Sequence, residues 1–279
     1  MSIINVSNLT FSHEGSYDNI FENVSFQIDT DWRLGFIGRN GRGKTTFLNL
    51  LLGKYAYSGN ISSTVKFEYF PYDVEDKSLY TIEVMKSICT ECMDWEIFRE
   101  ISLLDVQEDA LYRPFNTLSN GEQTKVLLAA LFLTTSCFLL IDEPTNHLDL
   151  DARNVVQNYL KRKKGFILVS HDRSLLDQCV DHILSINKTN IEIQKGNLTS
   201  WWENKTLQDN FELAENKKLL KEIGRLSYAA KRSSNWSNKV EKSKYGTTNS
   251  GSKLDKGYVG HKAAKAMKRA KNIESRHQE

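Results

Sequence analysis

Gly38-Arg39-Asn40-Gly41-Arg42-Gly43-Lys44-Thr45-Thr46 follows the apolar run Trp32-Arg33-Leu34-Gly35-Phe36-Ile37 and precedes Phe47-Leu48-Asn49-Leu50-Leu51-Leu52. The first flank reads as a buried strand and the second as a helix, so the glycines fall where a helix N-terminus faces a ligand. A Gly-x-x-x-x-Gly-Lys-Thr stretch in that setting is a phosphate cradle. Gly38, Gly41 and Gly43 let backbone N–H groups converge without Cβ interference, and Asn40 and Thr46 complete the loop that would hold a nucleotide. Lys44 supplies a point charge to the outer phosphates, and the Thr45 hydroxyl is suited to ligate Mg²⁺.

Two further segments belong with this loop. Cys137-Phe138-Leu139-Leu140-Ile141-Asp142-Glu143 reads as an apolar strand ending in two carboxylates. Asp142 at the strand end can hold Mg²⁺ through water, while Glu143 can orient and polarise the water that attacks a γ-phosphate. Leu118-Ser119-Asn120-Gly121-Glu122-Gln123 reads as a turn opening a helix. Taken alone it is an ordinary turn. It resembles the LSGGQ-type signature, a likeness strengthened by its order and distance relative to Lys44 and Asp142, and the resemblance implies that Ser119, Gly121 and Glu122 contact the nucleotide of a different phosphate loop.

With 279 residues the chain has room for one large domain or two small ones, and 40% hydrophobic with 26% charged residues is the balance of a soluble globular protein. The N-terminal residues lack the form of a secretion signal, and Val126 to Ile141, broken by Thr134-Thr135-Ser136, reads as helix then strand rather than a membrane span. A cytoplasmic location with no membrane partner is expected. Cys89 and Cys92 form a C-x-x-C, but no second pair and no nearby His accompany them, so neither a zinc site nor a redox site is supported and reduced thiols are expected.

Ile4–Phe11, Asn23–Ile28 and Val65–Phe70 pattern as strands, residues 75–117 as a small helical insertion, and Phe138–Ile141, Ala152–Leu160 and Gly165–Val169 as a βαβ unit. The fold class is α/β with a parallel or mixed sheet. Charge is split: residues 1–195 carry 19 Lys and Arg against 26 Asp and Glu, a net −7, while residues 196–279 carry 18 against 9, a net +9. An acidic body joined to a basic arm points to nucleic acid or anionic lipid as the arm's partner. Within that arm, Trp201–Lys231 reads as one long helix, 243–260 as a basic Gly/Ser-containing loop and 261–279 as a second, partial helix, together a hairpin.

The chain resembles the ATP-binding-cassette ATPases over residues 3–195, on the phosphate loop, the Leu118–Gln123 signature and the Asp142-Glu143 pair. Glu143-Pro144-Thr145-Asn146-His147-Leu148-Asp149 and Ser170-His171-Asp172-Arg173 are similar to the ABC-F proteins, which lack membrane domains and act on ribosomes. The resemblance implies ATP and Mg²⁺ as cofactors, Glu143 and His171 as catalytic residues, with His171 the switch histidine on the γ-phosphate, and Asp149 in the D-loop. It also implies a ribosome and ribosomal RNA as partners, with Lys244, Lys253, Lys256 and Lys262 as RNA-contacting candidates, and a second cassette, missing here or supplied by a homodimer. Gly38–Gly43, Leu127-Leu128, Phe211–Asn216, Lys244-Tyr245-Gly246 and Ala266–Arg269 resemble the Lsa-type branch, which protects ribosomes from lincosamides, streptogramin A and pleuromutilins. Two alternative readings are an energising subunit of a membrane transporter and an inactive truncated cassette.

The chain departs from the pattern in four places. Tyr72 follows Phe70-Pro71 where the family usually places the Q-loop glutamine, and Asn120 replaces the first signature glycine, as a residue tolerant of unusual backbone angles. The adenine-stacking position holds His13, with Phe11 and Tyr17 nearby. One phosphate loop and one signature stand where the family has two of each, so the chain is expected to be the first cassette with a truncated linker, ending inside the second linker helix.

Overall fold

The computed structural model describes residues 2–16, 18–39, 41, 43–146, 148–187, 190–242, 257–258, 260–262, 264–265, 267–268 and 271. The chain divides into two compact units, Met1–Glu203 and Asn204–Glu279.

The first unit is built on two sheets. β1 (Ile3–Phe11) pairs antiparallel with β2 (Phe21–Asp29) and with β4 (Ser58–Ser62). The larger sheet has the order β5 (Lys66–Phe70), β6 (Cys137–Asp142), β7 (Phe166–Val169), β3 (Arg33–Ile37), β8 (His182–Asn187), β9 (Asn190–Lys195). Its pairs are parallel except the closing β8–β9 hairpin. β7 and the body of β6 from Phe138 to Ile141 are apolar because both of their faces are covered, as parallel strands require. Alternation along each strand sorts its side chains between two cores. Phe138, Leu140, Ile167 and Val169 pack with β1, β2 and α1 (Lys44–Leu51). Leu139, Ile141, Phe166 and Leu168 pack on the other side with α4 (Asn120–Leu133), α5 (Leu150–Lys161) and α6 (Arg173–Cys179).

The helical insertion holds α2 (Thr81–Ile88), α3 (Asp94–Leu103) and two 3₁₀ turns, Glu108–Tyr112 and Phe115–Thr117. Ile97, Ile101, Leu104 and Leu111 bury the apolar stripe that marks it in the sequence. One buried charge ties it down: Glu100 accepts hydrogen bonds from Lys163 Nζ (2.5 Å), Tyr159 Oη (2.6 Å) and Arg99 Nη2 (3.0 Å). Cys89 and Cys92 are joined as a disulfide at the end of α2, against the expectation of reduced thiols; the three-residue step places their Cα atoms 5.7 Å apart, within bonding range.

The long arm helix α7 (Leu198–Lys242) has 45 residues and extends beyond the expected Trp201–Lys231 at both ends. Its final turns hold no Pro or Gly to stop it. In the second unit Gly257, Tyr258 and Gly260 are helical, so the second arm helix starts before His261; the described residues from His261 to Lys271 continue it. Of the expected loop, residues 243–256 lie outside the described set.

Candidate functional site

The carboxyl ends of β3, β6 and β7 lie side by side, the place where open α/β sheets bind ligands. β3 delivers the phosphate loop, β6 delivers Asp142 and Glu143, and β7 delivers His171. A cleft of about 720 Å³ opens there, lined by Gly41, Gly43, Lys44, Thr45 and Thr46, by Asp142, Glu143, Asn146 and His171, and by His13, Ile20 and Tyr69 among others. Residues expected from segments more than a hundred positions apart are thus brought together. Asn40 lies outside the described residues.

The loop is shaped for an anion. Gly43 caps α1 at φ 93° with no side-chain hydrogen bond to the helix, and no acidic residue sits in the first turn. No side chain of the cap or first turn thus competes with an anion for this helix N-terminus. A Cβ on Gly43 would fall 2.5 Å from Ile20 Cγ2, so both its backbone angle and its space demand glycine. At Gly38 the φ is not left-handed, and a Cβ there would meet Ile186 at an ordinary 3.4 Å. What Gly38 offers is its carbonyl, which accepts from Lys44 Nζ at 2.9 Å.

Asp142 Oδ2 is the meeting point of the site. It accepts from Thr45 Oγ1 at 3.3 Å and from Tyr69 Oη at 3.1 Å. One carboxylate and one hydroxyl form a hard oxygen set, and no group of three or more His, Cys, Asp or Glu able to hold a metal occurs among the described residues. That fits Mg²⁺, which takes one or two protein oxygens and completes its shell with water and substrate phosphates. Burial, then the Asp142 charge, push the Tyr69 hydroxyl up to about 12, which keeps it a proton donor.

Glu143 sits at φ 50°, an unusual angle for a side-chain-bearing residue, with its N–H bonded to Val169 O at 2.9 Å. Its Oε2 accepts from the His171 N–H at 3.3 Å, and its Oε1 is buried without a hydrogen-bond partner among the described residues, 3.5 Å from His171 Nε2. Burial raises the Glu143 carboxyl above its usual range against the opposing pull of His171. A partly desolvated carboxylate beside the phosphate loop is suited to act as a general base.

The signature segment does not join this group: Ser119, Gly121 and Glu122 are absent from the described lining of the cleft. Ser119 is the N-cap of α4. Its Oγ accepts from Glu122 N–H (3.2 Å) and donates to Glu122 Oε2 (2.8 Å), which also accepts from Ser119 N–H (2.8 Å). Those bonds from Ser119 hold the Glu122 carboxyl below its usual range. Asn120 is the first residue of α4 with no positive φ, so the unusual backbone angle anticipated for it is not needed. Asp149 caps α5, accepting from Ala152 N–H at 2.8 Å.

Of the adenine candidates, His13 lines the cleft; Phe11 is buried and stacks on Tyr55, and Tyr17 lies outside the described residues. Tyr72 packs against the core rather than lining the cleft. Tyr69 and Asn146 line the cleft without being among the site residues expected from the sequence, although each lies inside a segment singled out there, Val65–Phe70 and Glu143–Asp149. In the arm, Lys262 Nζ lies over the rings of Trp236 (5.7 Å) and Tyr258 (5.9 Å); Lys244, Lys253 and Lys256 lie outside the described residues.

The sequence pattern of the ABC transporter family matches residues 21–146. The chain is 31% identical over 191 residues to the ribosome protection protein VmlR of Bacillus subtilis (strain 168), covering 65% of this chain and 34% of VmlR. It is 30% identical over 212 residues to ATP-binding cassette sub-family F member 2 of Mus musculus, covering 72% of this chain and 33% of that protein. The chain thus spans about a third of the length of these curated relatives. A solved metal-chelate type ABC transporter in an inward-facing conformation shares the fold, with a TM-score of 0.59 and 20% identity over 70% of this chain and 84% of that one. The chain therefore carries the ATP-binding domain of an ABC-type ATPase, and its relatives include members of the ABC-F family.

Proposed function

We propose that the chain is the first ATPase half, with part of the interdomain linker, of an ABC-F protein that binds the ribosome and confers resistance by ribosome protection, of the Lsa type directed at lincosamides, streptogramin A and pleuromutilins. The observation that carries the proposal is the convergence of Lys44, Asp142, Glu143 and His171 on one cleft in a chain with a basic arm and relatives of the ABC-F kind. No helix among the described residues is long and apolar enough to cross a membrane, which suits a cytoplasmic partner.

The chemistry follows from the side chains. Backbone N–H groups from Gly41 to Thr46 and the Lys44 ammonium bind the triphosphate, and His171 touches the γ-phosphate. Thr45 and Asp142 would hold Mg²⁺, which when bound neutralises charge on the β- and γ-phosphate oxygens. Glu143 orients the attacking water and takes up its proton as the water oxygen bonds to the γ-phosphorus and the bond to the β-phosphate oxygen breaks, so that ADP and phosphate leave. Ser119 and Gly121 would serve the ATP of an opposing cassette, with Asp149 at the seam between the two. ATP then clamps the cassettes and hydrolysis releases them. Residues 196–279 would act as the linker, reaching ribosomal RNA with Lys244, Lys253, Lys256 and Lys262.

Co-sedimentation of Glu143→Gln protein with purified ribosomes, in ATP and in ADP, tests this reading with the chain alone and with a second cassette appended. ATP-dependent pelleting of the two-cassette form is expected. Pelleting independent of nucleotide, or ATP-dependent association with membranes instead, would overturn it.

A further inference from the structure

We propose that Tyr69, and not Tyr72 at the place of the Q-loop glutamine, is a positioning residue for the magnesium carboxylate; the inference rests on the reading of the cleft as an ATP site. Tyr69 lies on β5, beside β6, with Tyr69 opposite Leu140 and Phe70 opposite Ile141 in a parallel ladder. That register sends its ring toward the carboxyl end of β6, where its hydroxyl donates to Asp142 Oδ2 at 3.1 Å and lines the cleft with Thr45 and Glu143. Tyr72, three residues on, is packed against the core.

Two hydroxyls meet the same Asp142 oxygen, and they differ in what a cation does to them. Thr45 Oγ1 is itself a ligand candidate, so a bound ion turns its lone pair toward the metal and competes with its bond to Asp142. Tyr69 keeps its donor role in both states. It is then the bond that fixes the plane of the Asp142 carboxylate when the site is loaded, while Lys54 Nζ, 5.5 Å from the Tyr69 ring centroid, packs over the ring from the segment after α1. Outer donors to metal-binding carboxylates are typically worth roughly 10- to 100-fold in metal affinity.

The test uses the full chain and two binding titrations rather than turnover. Fluorescent ATP is titrated in EDTA, then Mg²⁺ is titrated at fixed nucleotide, and Mn²⁺ binding in the presence of ATP is followed by electron paramagnetic resonance. Tyr69→Phe is expected to leave nucleotide affinity in EDTA unchanged and to raise the Mg²⁺ and Mn²⁺ half-saturation about 10-fold. Tyr69→Gln, which restores a donor, should recover part of that shift. Thermal melting of each variant separates a folding defect from a binding one. If Tyr69→Phe melts like the wild type and its metal half-saturation is unchanged, or if affinity falls equally with and without metal, the positioning role is overturned. If the wild type binds no nucleotide at all, the ATP-site reading fails instead.

Discussion

His171 reaches Glu143 twice, through its backbone N–H to Oε2 at 3.3 Å and through its ring Nε2, 3.5 Å from Oε1. The pair spans the ends of β6 and β7, and it leaves Oε1 buried with no hydrogen-bond partner among the described residues. The carboxylate is thus oriented by the residue that follows a neighbouring strand.

Glu143→Gln should therefore keep ATP binding and lower turnover by roughly 10²- to 10⁴-fold, because the amide retains the shape and loses the basic oxygen. Lys44→Ala should instead weaken ATP binding by about 1.5–3 kcal/mol, the cost of a charged hydrogen bond to an anion. Equilibrium binding beside single-turnover hydrolysis distinguishes them; equal loss of binding in both variants would contradict the assigned roles.

Ser119→Ala should destabilise the chain by about 1 kcal/mol, since it removes the cap that accepts Glu122 N–H and holds the Glu122 carboxylate. Denaturant unfolding measures this without any nucleotide. A Ser119→Asp variant, which restores a capping oxygen, should recover most of that stability. If neither substitution changes the unfolding midpoint, the cap does not stabilise α4.

Much of this site was legible because its residues fall in short stretches with forced chemistry. Gly43 must be glycine for its angle and its space, and Asp142 must end an apolar strand to face the loop. Less of the sheet's edge could be read: β4 carries Gly59 and mixed polar residues, and the β8–β9 hairpin turns without a strong turn dipeptide. Tyr69 escaped notice since its role depends on which strand neighbours β6, a fact of sheet order that periodicity does not contain. Glu100, hidden in an amphipathic stretch, gave no sign that its partner would be Lys163, 63 positions away.

That buried pair carries a pH signature. Burial alone would raise the Glu100 carboxyl, but hydrogen bonds from Lys163, Tyr159 and Arg99 hold it below its ordinary value. A carboxyl lowered on folding contributes stability above its unfolded value, near 4.5, and loses that contribution as pH falls through the lower folded value. Lys163→Met should cost about 1.5–3 kcal/mol at neutral pH, the loss of one charged hydrogen bond, with Tyr159 and Arg99 still donating to Glu100. Its stability should also fall less on acidification from neutral pH than that of the wild type. Urea melts at a series of pH values read both effects, and parallel pH profiles for the two proteins would contradict the pairing.

The central claim is that one chain supplies the Lys44 half of an ATP site while its Ser119 segment serves another, and it is tested most directly by steady-state ATP hydrolysis per molecule across a wide range of protein concentration. Weak hydrolysis that rises with concentration, and that is restored by appending a second cassette, is the predicted result. Strong hydrolysis per molecule that stays constant down to concentrations at which the chain sediments as a monomer would contradict it.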